Sequence, residues 1–331
     1  MDKPFKTFSE QVNILNGRMK TDQNTIYYLM RNNYYSIINF YKDPFVINRR
    51  KEIYRDGTHF NDIKSLYEFD RDLRTLFFNY LTQIERLFKT MIAYYFSEYH
   101  NPTKIETYLD DNNYFKRKKT RRTITDVINT LTNIKNNNTL PIISHYHKTG
   151  KDNIPFWVVI HFITFGELSK LYSILINDVK DNIVSCCQNL FETEYGTHLT
   201  IDKLFIGTFL KSCSRFRNAA GHNERFYNYT IKEFLNLSNT SGITSNNKKL
   251  FSIYEGLKFF LPKEEYKKLT SNLKILVTNL EKNLNTDWDM KNLKYNPLSG
   301  MRIELKKLMK RNMQERSSKR TRFLMDITLL L

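Results

Sequence analysis

An arginine, an asparagine and a histidine lie within one short segment of the chain. Arg217 and Asn218 are adjacent, and His222 follows five residues after Arg217. A guanidinium group is always charged and can hold a phosphate, whereas an imidazole gains or loses a proton near neutral pH. Together they could cleave a phosphodiester without a metal, because the 2′-hydroxyl of RNA supplies the nucleophile. The segment therefore predicts a ribonuclease with these three catalytic residues.

The spacing of the three residues leaves a structural alternative open. On an ideal helix, the side chains of Arg217 and His222 would lie about 140° apart around the axis. We expect Gly221 to end or loosen the helix, so that the imidazole can turn towards the guanidinium. Asn218 would orient either the phosphate or the imidazole. Alternatively, arginine and histidine stand at this spacing by chance, and the histidine only caps carbonyl groups at a helix end.

The chain carries a large excess of positive charge. Its 331 residues include 52 lysines and arginines against 34 aspartates and glutamates, a net charge of +18. This excess favours a polyanionic partner, with nucleic acid ahead of an anionic membrane surface. A basic run from Phe115 to Arg122 and two arginines beside the catalytic segment are expected to contact RNA phosphates, although such runs also form solvated helix faces. These RNA-binding residues are Lys116, Arg117, Lys118, Lys119, Arg121, Arg122, Arg215 and Arg225.

The remaining composition argues against several other classes of protein. The three cysteines, Cys186, Cys187 and Cys213, provide no disulfide framework and no CxxC pair, which fits a reducing compartment. His145 and His147 have no nearby carboxylate or cysteine cluster that would complete a metal site. We therefore expect neither a metal nor a cofactor. No apolar run approaches the ~18 residues of a membrane span, so the expected location is the cytoplasm, without membrane contact.

The spacing of the apolar residues predicts an all-α fold. From Phe60 to Tyr99 they recur mostly at three- and four-residue steps, which predicts one long amphipathic helix, either continuous or broken once. One exception is a short hairpin around Phe45–Phe60, with Asp56 and Gly57 as its turn. Pro155 would begin one of the other helices, and Thr200 or Asp202 would cap another. These other helices are predicted at Ile124–Leu131, Phe156–Ile176, Ile201–Ala220, Thr230–Leu237 and Leu273–Leu284.

Two resemblances accompany these patterns. The segment from Arg217 to His222 is similar to the Arg–polar–x–x–x–His signature of the HEPN superfamily. Several segments, in order from about residue 10 to 230, resemble the AbiD/AbiF-type abortive infection proteins of the Abi-like family. They are Val12–Met19, Tyr27–Ser36 with Asp43–Phe45, Leu66–Arg74 with Ile84–Arg86, Pro155–Val159 with Thr164–Ser169, and Phe216–Tyr227.

The resemblance implies a HEPN-like helical bundle with additional N- and C-terminal helices. A single domain would cover residues 1–300, including an N-terminal helical extension over about 1–60, and a basic C-terminal segment would cover 301–331. The implied function is a metal-independent endoribonuclease of a phage-defence system, bound or restrained by a structured noncoding RNA. HEPN nucleases generally build the active site where two units meet, so the single motif implies a homodimer. The alternative is a noncatalytic RNA-binding protein that forms a ribonucleoprotein.

Overall fold

A computed structural model describes residues 4–100, 106–151, 153–232 and 249–284. The prediction of an all-α fold is confirmed, because 69% of the structure is helical and the described residues contain a single two-stranded sheet. Among these residues, no helix has both the length and the apolar character that crossing a membrane requires. The predicted basic segment 301–331 lies outside the described residues.

Helices follow one another along almost the whole described chain. The α-helices are α1 (Phe8–Asn16), α2 (Thr25–Arg31), α3 (Phe60–Tyr99), α4 (Arg121–Lys135), α5 (Pro141–Lys148), α6 (Phe156–Val159), α7 (Phe165–Ile174), α8 (Asn177–Tyr195), α9 (Lys203–Gly221), α10 (Leu250–Leu257) and α11 (Lys263–Asn283). A π-helical turn covers Tyr35–Asn39, and 3-10 turns cover Asp43–Phe45, Thr107–Leu109, Asp111–Asn113 and Ile160–Phe162. The strands are β1 (Val46–Asn48) and β2 (Ile53–Tyr54).

Most of the predicted helices are present, and α3 has the predicted bounds. Before α9, the Asp202 carboxylate accepts a hydrogen bond from the Phe205 N–H at 2.7 Å, so Asp202 rather than Thr200 is the cap. Helix α11 contains most of the segment predicted from Leu273 but begins earlier. In the segment predicted from Thr230, that residue forms an isolated β-bridge with Lys249. Residues 233–237 lie outside the described part of the chain.

The prediction of one helix over Phe156–Ile176 is wrong, because a cap interrupts it. Thr164 accepts a hydrogen bond from the Glu167 N–H at 3.3 Å, and the Glu167 carboxylate accepts one from the Thr164 N–H at 2.7 Å. This capping box satisfies two backbone donors that a continuing helix would have used otherwise. As a result α6 ends at Val159 and α7 begins at Phe165.

The predicted hairpin is present, but its turn is not at Asp56 and Gly57. Strands β1 and β2 pair antiparallel with Val46 opposite Tyr54, so the turn falls before β2. Glu52 takes a left-handed backbone conformation in that turn, with a φ of 50°. Gly57, with a φ of 77°, instead lies between β2 and the start of α3. Its positive φ marks the turn into the helix and not the turn of the hairpin.

The chain divides into two compact units. Of the described residues, the first contains those up to Leu73 and those from Thr270 to Leu284, and the second contains those from Arg74 to Leu269. Within the first unit, the Tyr41 hydroxyl donates a hydrogen bond to the fully buried Asp70 at 2.6 Å. Such a bond offsets part of the cost of burying a carboxylate. The domain bounds expected from the sequence, 1–300 and 301–331, stay a prediction.

In the second unit, helix α9 lies at the centre, packed against α7 and α10. The fully buried ring of Phe209 on α9 stacks on Phe260, with 4.8 Å between the ring centroids. Gly256 on α10 comes so close to α9 that a Cβ atom there would lie 2.5 Å from Phe209. This glycine therefore permits the close packing of α10 on α9, which holds α9 in place.

We predict that Gly256→Ala destabilises the protein by about 1–3 kcal/mol, because the added methyl group overpacks a buried ring. Thermal unfolding followed by circular dichroism measures the change. Gly221→Ala is the matched control, since a Cβ atom there would meet Phe78 at an ordinary 3.7 Å. An equal loss of stability in both variants would contradict the role given to Gly256.

Candidate functional site

The three predicted catalytic residues lie together at the C-terminal end of α9. Arg217 and Asn218 belong to its last turn, and His222 is the residue that immediately follows it. The His222 N–H donates a hydrogen bond to the Asn218 carbonyl oxygen at 2.9 Å. Arg217 is half-buried, whereas Asn218 and His222 are exposed. The polar groups of this turn therefore face solvent, where a substrate could reach them.

Gly221 is the last residue of α9, as the sequence predicts, but the left-handed residue that closes the turn is Asn223. Gly221 is still helical, and Asn223 takes the left-handed conformation with a φ of 56°. The Glu224 N–H then donates a hydrogen bond back to the Ala219 carbonyl oxygen at 3.1 Å. This is the Schellman arrangement, in which asparagine can replace glycine because it tolerates a positive φ.

The loop after this turn is anchored by contacts within the second unit. Arg74 on α3 donates a hydrogen bond from Nη1 to the Glu224 carbonyl oxygen at 3.2 Å. Two residues further on, the buried Phe226 ring packs against Phe77 and Phe216, with centroid distances of 5.8 and 5.7 Å. The turn that carries the imidazole is therefore fixed on both sides, by α9 before it and by this loop after it.

We predict that Asn223→Ala lowers stability by about 1 kcal/mol, because alanine pays the steric cost of the left-handed conformation. The corresponding fall in melting temperature is about 2 °C. Asn223→Gly is the matched control and should cost less, since glycine takes this conformation without strain. Calorimetry of both variants provides the comparison. Equal melting temperatures for alanine and glycine would show that the turn does not depend on the positive φ.

Arg217 is held by a buried carboxylate on α3. Its Nη2 atom lies 3.5 Å from Oε2 of Glu85, and its Nη1 atom donates to Oδ1 of Asn218 at 3.4 Å. The other oxygen of Glu85 lies 2.9 Å from Nζ of Lys89. Glu85 is only 7% exposed, so both of these cations compensate a carboxylate that is largely withdrawn from water. Two positive charges thus share one negative charge beside the turn.

An aromatic ring also lies close to the guanidinium group of Arg217. Phe78 on α3 lies with its ring centroid 5.8 Å from Cζ of Arg217, within cation–π range. The Nε atom of Arg217 is buried, and within the described part of the chain no atom accepts a hydrogen bond from it. The guanidinium is therefore fixed in position by α3 while at least one of its donors stays unused.

Sequence reasoning missed the three residues of α3 that surround Arg217. Phe78 follows Phe77 in an apolar pair of the sequence, although Phe78 is 38% exposed whereas Phe77 is buried. Glu85 and Lys89 stand four residues apart, the spacing of an ion pair on a helix. These signals were present in the sequence, but nothing in it linked them to α9.

The predicted RNA-binding residues of the basic run surround the start of α4. All six cations are exposed, and Arg121 and Arg122 occupy the first turn of the helix. That turn contains no acidic residue, and Thr120 provides no side-chain cap. Cations are unfavourable at a helix N-terminus, which already carries partial positive charge, so an anion bound here would relieve the repulsion.

Near this basic run lies Lys180 on α8, which sequence reasoning did not single out. Burial, together with the positive charges of Lys203 and Arg117, lowers the pKa of Lys180 to about 8. Its Nζ atom donates a hydrogen bond to the Ser173 carbonyl oxygen at 2.9 Å. The lowered pKa reflects mainly the burial of the ammonium group, and the two neighbouring cations add to it. The other two predicted residues, Arg215 and Arg225, lie beside the turn at the end of α9.

We predict that Lys180 titrates near pH 8 and that Arg117→Gln raises its pKa, because a like charge is removed. The folded protein then binds fewer protons than the unfolded chain between about pH 8 and the ordinary lysine pKa near 10.4, so this group makes stability rise with pH there. NMR of isotope-labelled dimethyl-lysine measures the titration. Lys118→Gln is the control with no expected effect, and an equal shift in both variants would contradict the assignment.

The two histidines weighed as half of a metal site lie on α5. His145 is exposed, and Nε2 of His147 lies 2.9 Å from the Lys135 carbonyl oxygen. In the ranges that the structure covers, no three histidine, cysteine, aspartate or glutamate side chains are grouped so that they could hold a metal ion.

Comparison with known proteins links the described site to a family. A family model described as Abi-like protein matches residues 27–228, more than half of the chain. The matched range contains all of α3 to α9 and the three residues of the turn at the end of α9. No curated protein and no solved structure matches the chain.

Proposed function

The chain belongs to the Abi-like protein family, and we propose on this basis that it is a metal-independent, HEPN-type endoribonuclease. Family membership indicates a role in abortive infection, a defence of bacteria against phage. Destroying RNA inside an infected cell would carry out that defence. The observation that supports this activity best is the placement of Arg217, Asn218 and His222 on one fixed, solvent-facing turn.

In the proposed reaction, the guanidinium of Arg217 binds the scissile phosphate and neutralises the charge that develops on it. The 2′-oxygen attacks phosphorus while a base takes its proton, and the bond from phosphorus to the 5′-oxygen breaks as that oxygen receives a proton. His222 would carry one of these protons. The products are a 2′,3′-cyclic phosphate and a 5′-hydroxyl. Asn218, bonded to Arg217, would keep the guanidinium in position.

A second copy of the chain would supply the other imidazole. The reaction needs both a base and an acid, and the sequence contains a single Arg–polar–x–x–x–His motif. A homodimer that brings together two turns at the ends of the α9 helices would provide two histidines. The small residues Ala219 and Ala220 of α9 are buried in the second unit, so a partner would meet the exposed residues of this turn instead.

Glu85 prepares Arg217 for this role. Its carboxylate fixes the guanidinium in advance, which reduces the conformational entropy that phosphate binding would otherwise cost. Because Lys89 shares the same carboxylate, the cluster keeps one net positive charge.

An RNA partner is the second part of the proposal. The net charge of +18 and the basic start of α4 favour contacts with a phosphate backbone. A structured noncoding RNA bound there would restrain the nuclease until infection. If catalysis is absent, the same surface supports the alternative function, a noncatalytic RNA-binding protein in a ribonucleoprotein.

We predict that the wild-type protein, stripped of bound nucleic acid, cuts labelled single-stranded RNA in EDTA and that His222→Ala does not. Losing a general acid–base catalyst should lower the rate by about 10²–10⁴-fold and leave RNA affinity nearly unchanged. DNA should survive, because it lacks the 2′-hydroxyl. His145→Ala, which removes another exposed histidine, is the matched control and should cut like the wild type.

Cutting by His222→Ala at the wild-type rate would show that this histidine is not catalytic. If neither protein cuts but both bind RNA in a salt-sensitive manner, the result supports the noncatalytic ribonucleoprotein.

A further inference from the structure

A groove runs along α3 beside the proposed catalytic cluster. It lies within the second unit and has a volume of about 780 Å³. Its floor is formed by two neighbouring rows of α3 side chains, each with a four-residue step, one starting at Thr82 and the other at Glu85. Trp157, Ile160 and His161 form the opposite wall. Ala93 leaves the middle of the groove free of a large side chain.

Aromatic side chains are the most exposed part of this groove. Trp157 is 63% exposed and Tyr94 is 60% exposed, although both residues belong to helices whose other faces are buried. On α6, the neighbours Phe156 and Val159 fill the core, so Trp157 is presented outwards by a helix that is itself well anchored. Exposed aromatic rings of this kind offer stacking faces to a flat ligand.

The groove begins at the cluster that holds Arg217. Glu85 and Lys89 belong both to its lining and to that cluster. The Lys89 ammonium also donates a hydrogen bond to the His161 carbonyl oxygen at 3.0 Å, which connects the floor on α3 to the opposite wall. Tyr94 lies nine residues beyond Glu85 on the same helix, about 13.5 Å along its axis. An RNA strand whose phosphate is bound by Arg217 could therefore continue into the groove.

The charges around the groove favour an anionic chain. Arg86 and Lys89 line it, and Arg217 lies at its end, against the carboxylates of Glu85 and Glu98. Both oxygens of Glu85 face cations, and one oxygen of Glu98 accepts a hydrogen bond from Tyr94 at 3.1 Å. The four charged side chains of the lining cancel, so the net positive charge comes from Arg217 at the end of the groove. This charge matches a backbone phosphate, while the aromatic walls match a base.

We propose that this groove binds an unpaired base of the single-stranded RNA whose scissile phosphate Arg217 holds, with the base stacked on Trp157. The assignment rests on the proposed function, which places the phosphate at Arg217. Stacking on an aromatic ring accepts any base, so the site selects unpaired RNA and not a particular sequence. Base-paired RNA is excluded, because its bases already stack within the duplex.

The experiment measures binding separately from cleavage. Trp288, which lies outside the described residues, is replaced by phenylalanine so that Trp157 is the single tryptophan. The probe is a short oligoadenylate with 2′-O-methyl riboses, which cannot be cut, and its abasic counterpart is the control. We expect the oligoadenylate to quench the Trp157 fluorescence and the abasic strand to leave it unchanged.

The affinity of variants provides the second measurement. Trp157→Ala should weaken binding of the oligoadenylate by about five- to 150-fold, as expected for the loss of one stacked base. Trp157→Phe should restore most of the affinity, because a ring remains. Tyr27→Ala is the matched control and should bind normally, since it removes a ring that is equally exposed, at 63%, but lies in the first unit.

Two results would overturn the proposal. One is binding of the oligoadenylate with no quenching and no effect of Trp157→Ala. The other is a loss of self-association in Trp157→Ala without RNA, seen by sedimentation, which would assign the groove to a second copy of the chain. Quenching of the Trp157 fluorescence does not require cleavage. The binding result can therefore be interpreted even if the nuclease assay fails.

Discussion

The ion pair between Glu85 and Arg217 is the interaction on which the candidate site depends. A carboxylate that is nearly withdrawn from water needs compensating cations, and removing one partner from such a pair usually costs more than the pair contributes. Glu85 faces two cations and so connects the end of α9 to the middle of α3. The same contact that stabilises the packing therefore sets the direction of the guanidinium.

Helix α9 packs into the core at its centre and carries the polar side chains of the candidate site at its C-terminal end. Its central residues, such as Phe209, are fully buried against neighbouring helices, and Asn218 in its last turn is exposed to solvent. The change occurs where Asn223 reverses the backbone and Arg74 holds the following loop. A rigid core thus positions polar groups that could not contribute to the core themselves. This division is typical of sites in which geometry must be maintained without ligand.

Local patterns predicted the elements well and their contacts poorly. The long repeat of apolar residues predicted α3 with its bounds. Asp202 was one of two candidate caps for α9, which begins two residues later than predicted. The capping box at Thr164 was readable but was outweighed by a continuous apolar pattern. The partners of Arg217 could not be predicted, because Glu85 lies 132 residues away and only tertiary packing brings the two together. The motif at Arg217 was visible, whereas its environment was not.

The continuity of α3 constrains how this protein can change. One unbroken helix carries the ring under Arg217, the carboxylate that pairs with it and the floor of the groove, from Phe78 to Glu98. Inserting or deleting one residue in this stretch would rotate everything beyond it by about 100° and separate these features from one another. A substitution in this stretch changes one side chain. An insertion or deletion would change the positions of all these side chains relative to one another. The spacing along α3 is therefore less free to vary than the identity of most of its residues.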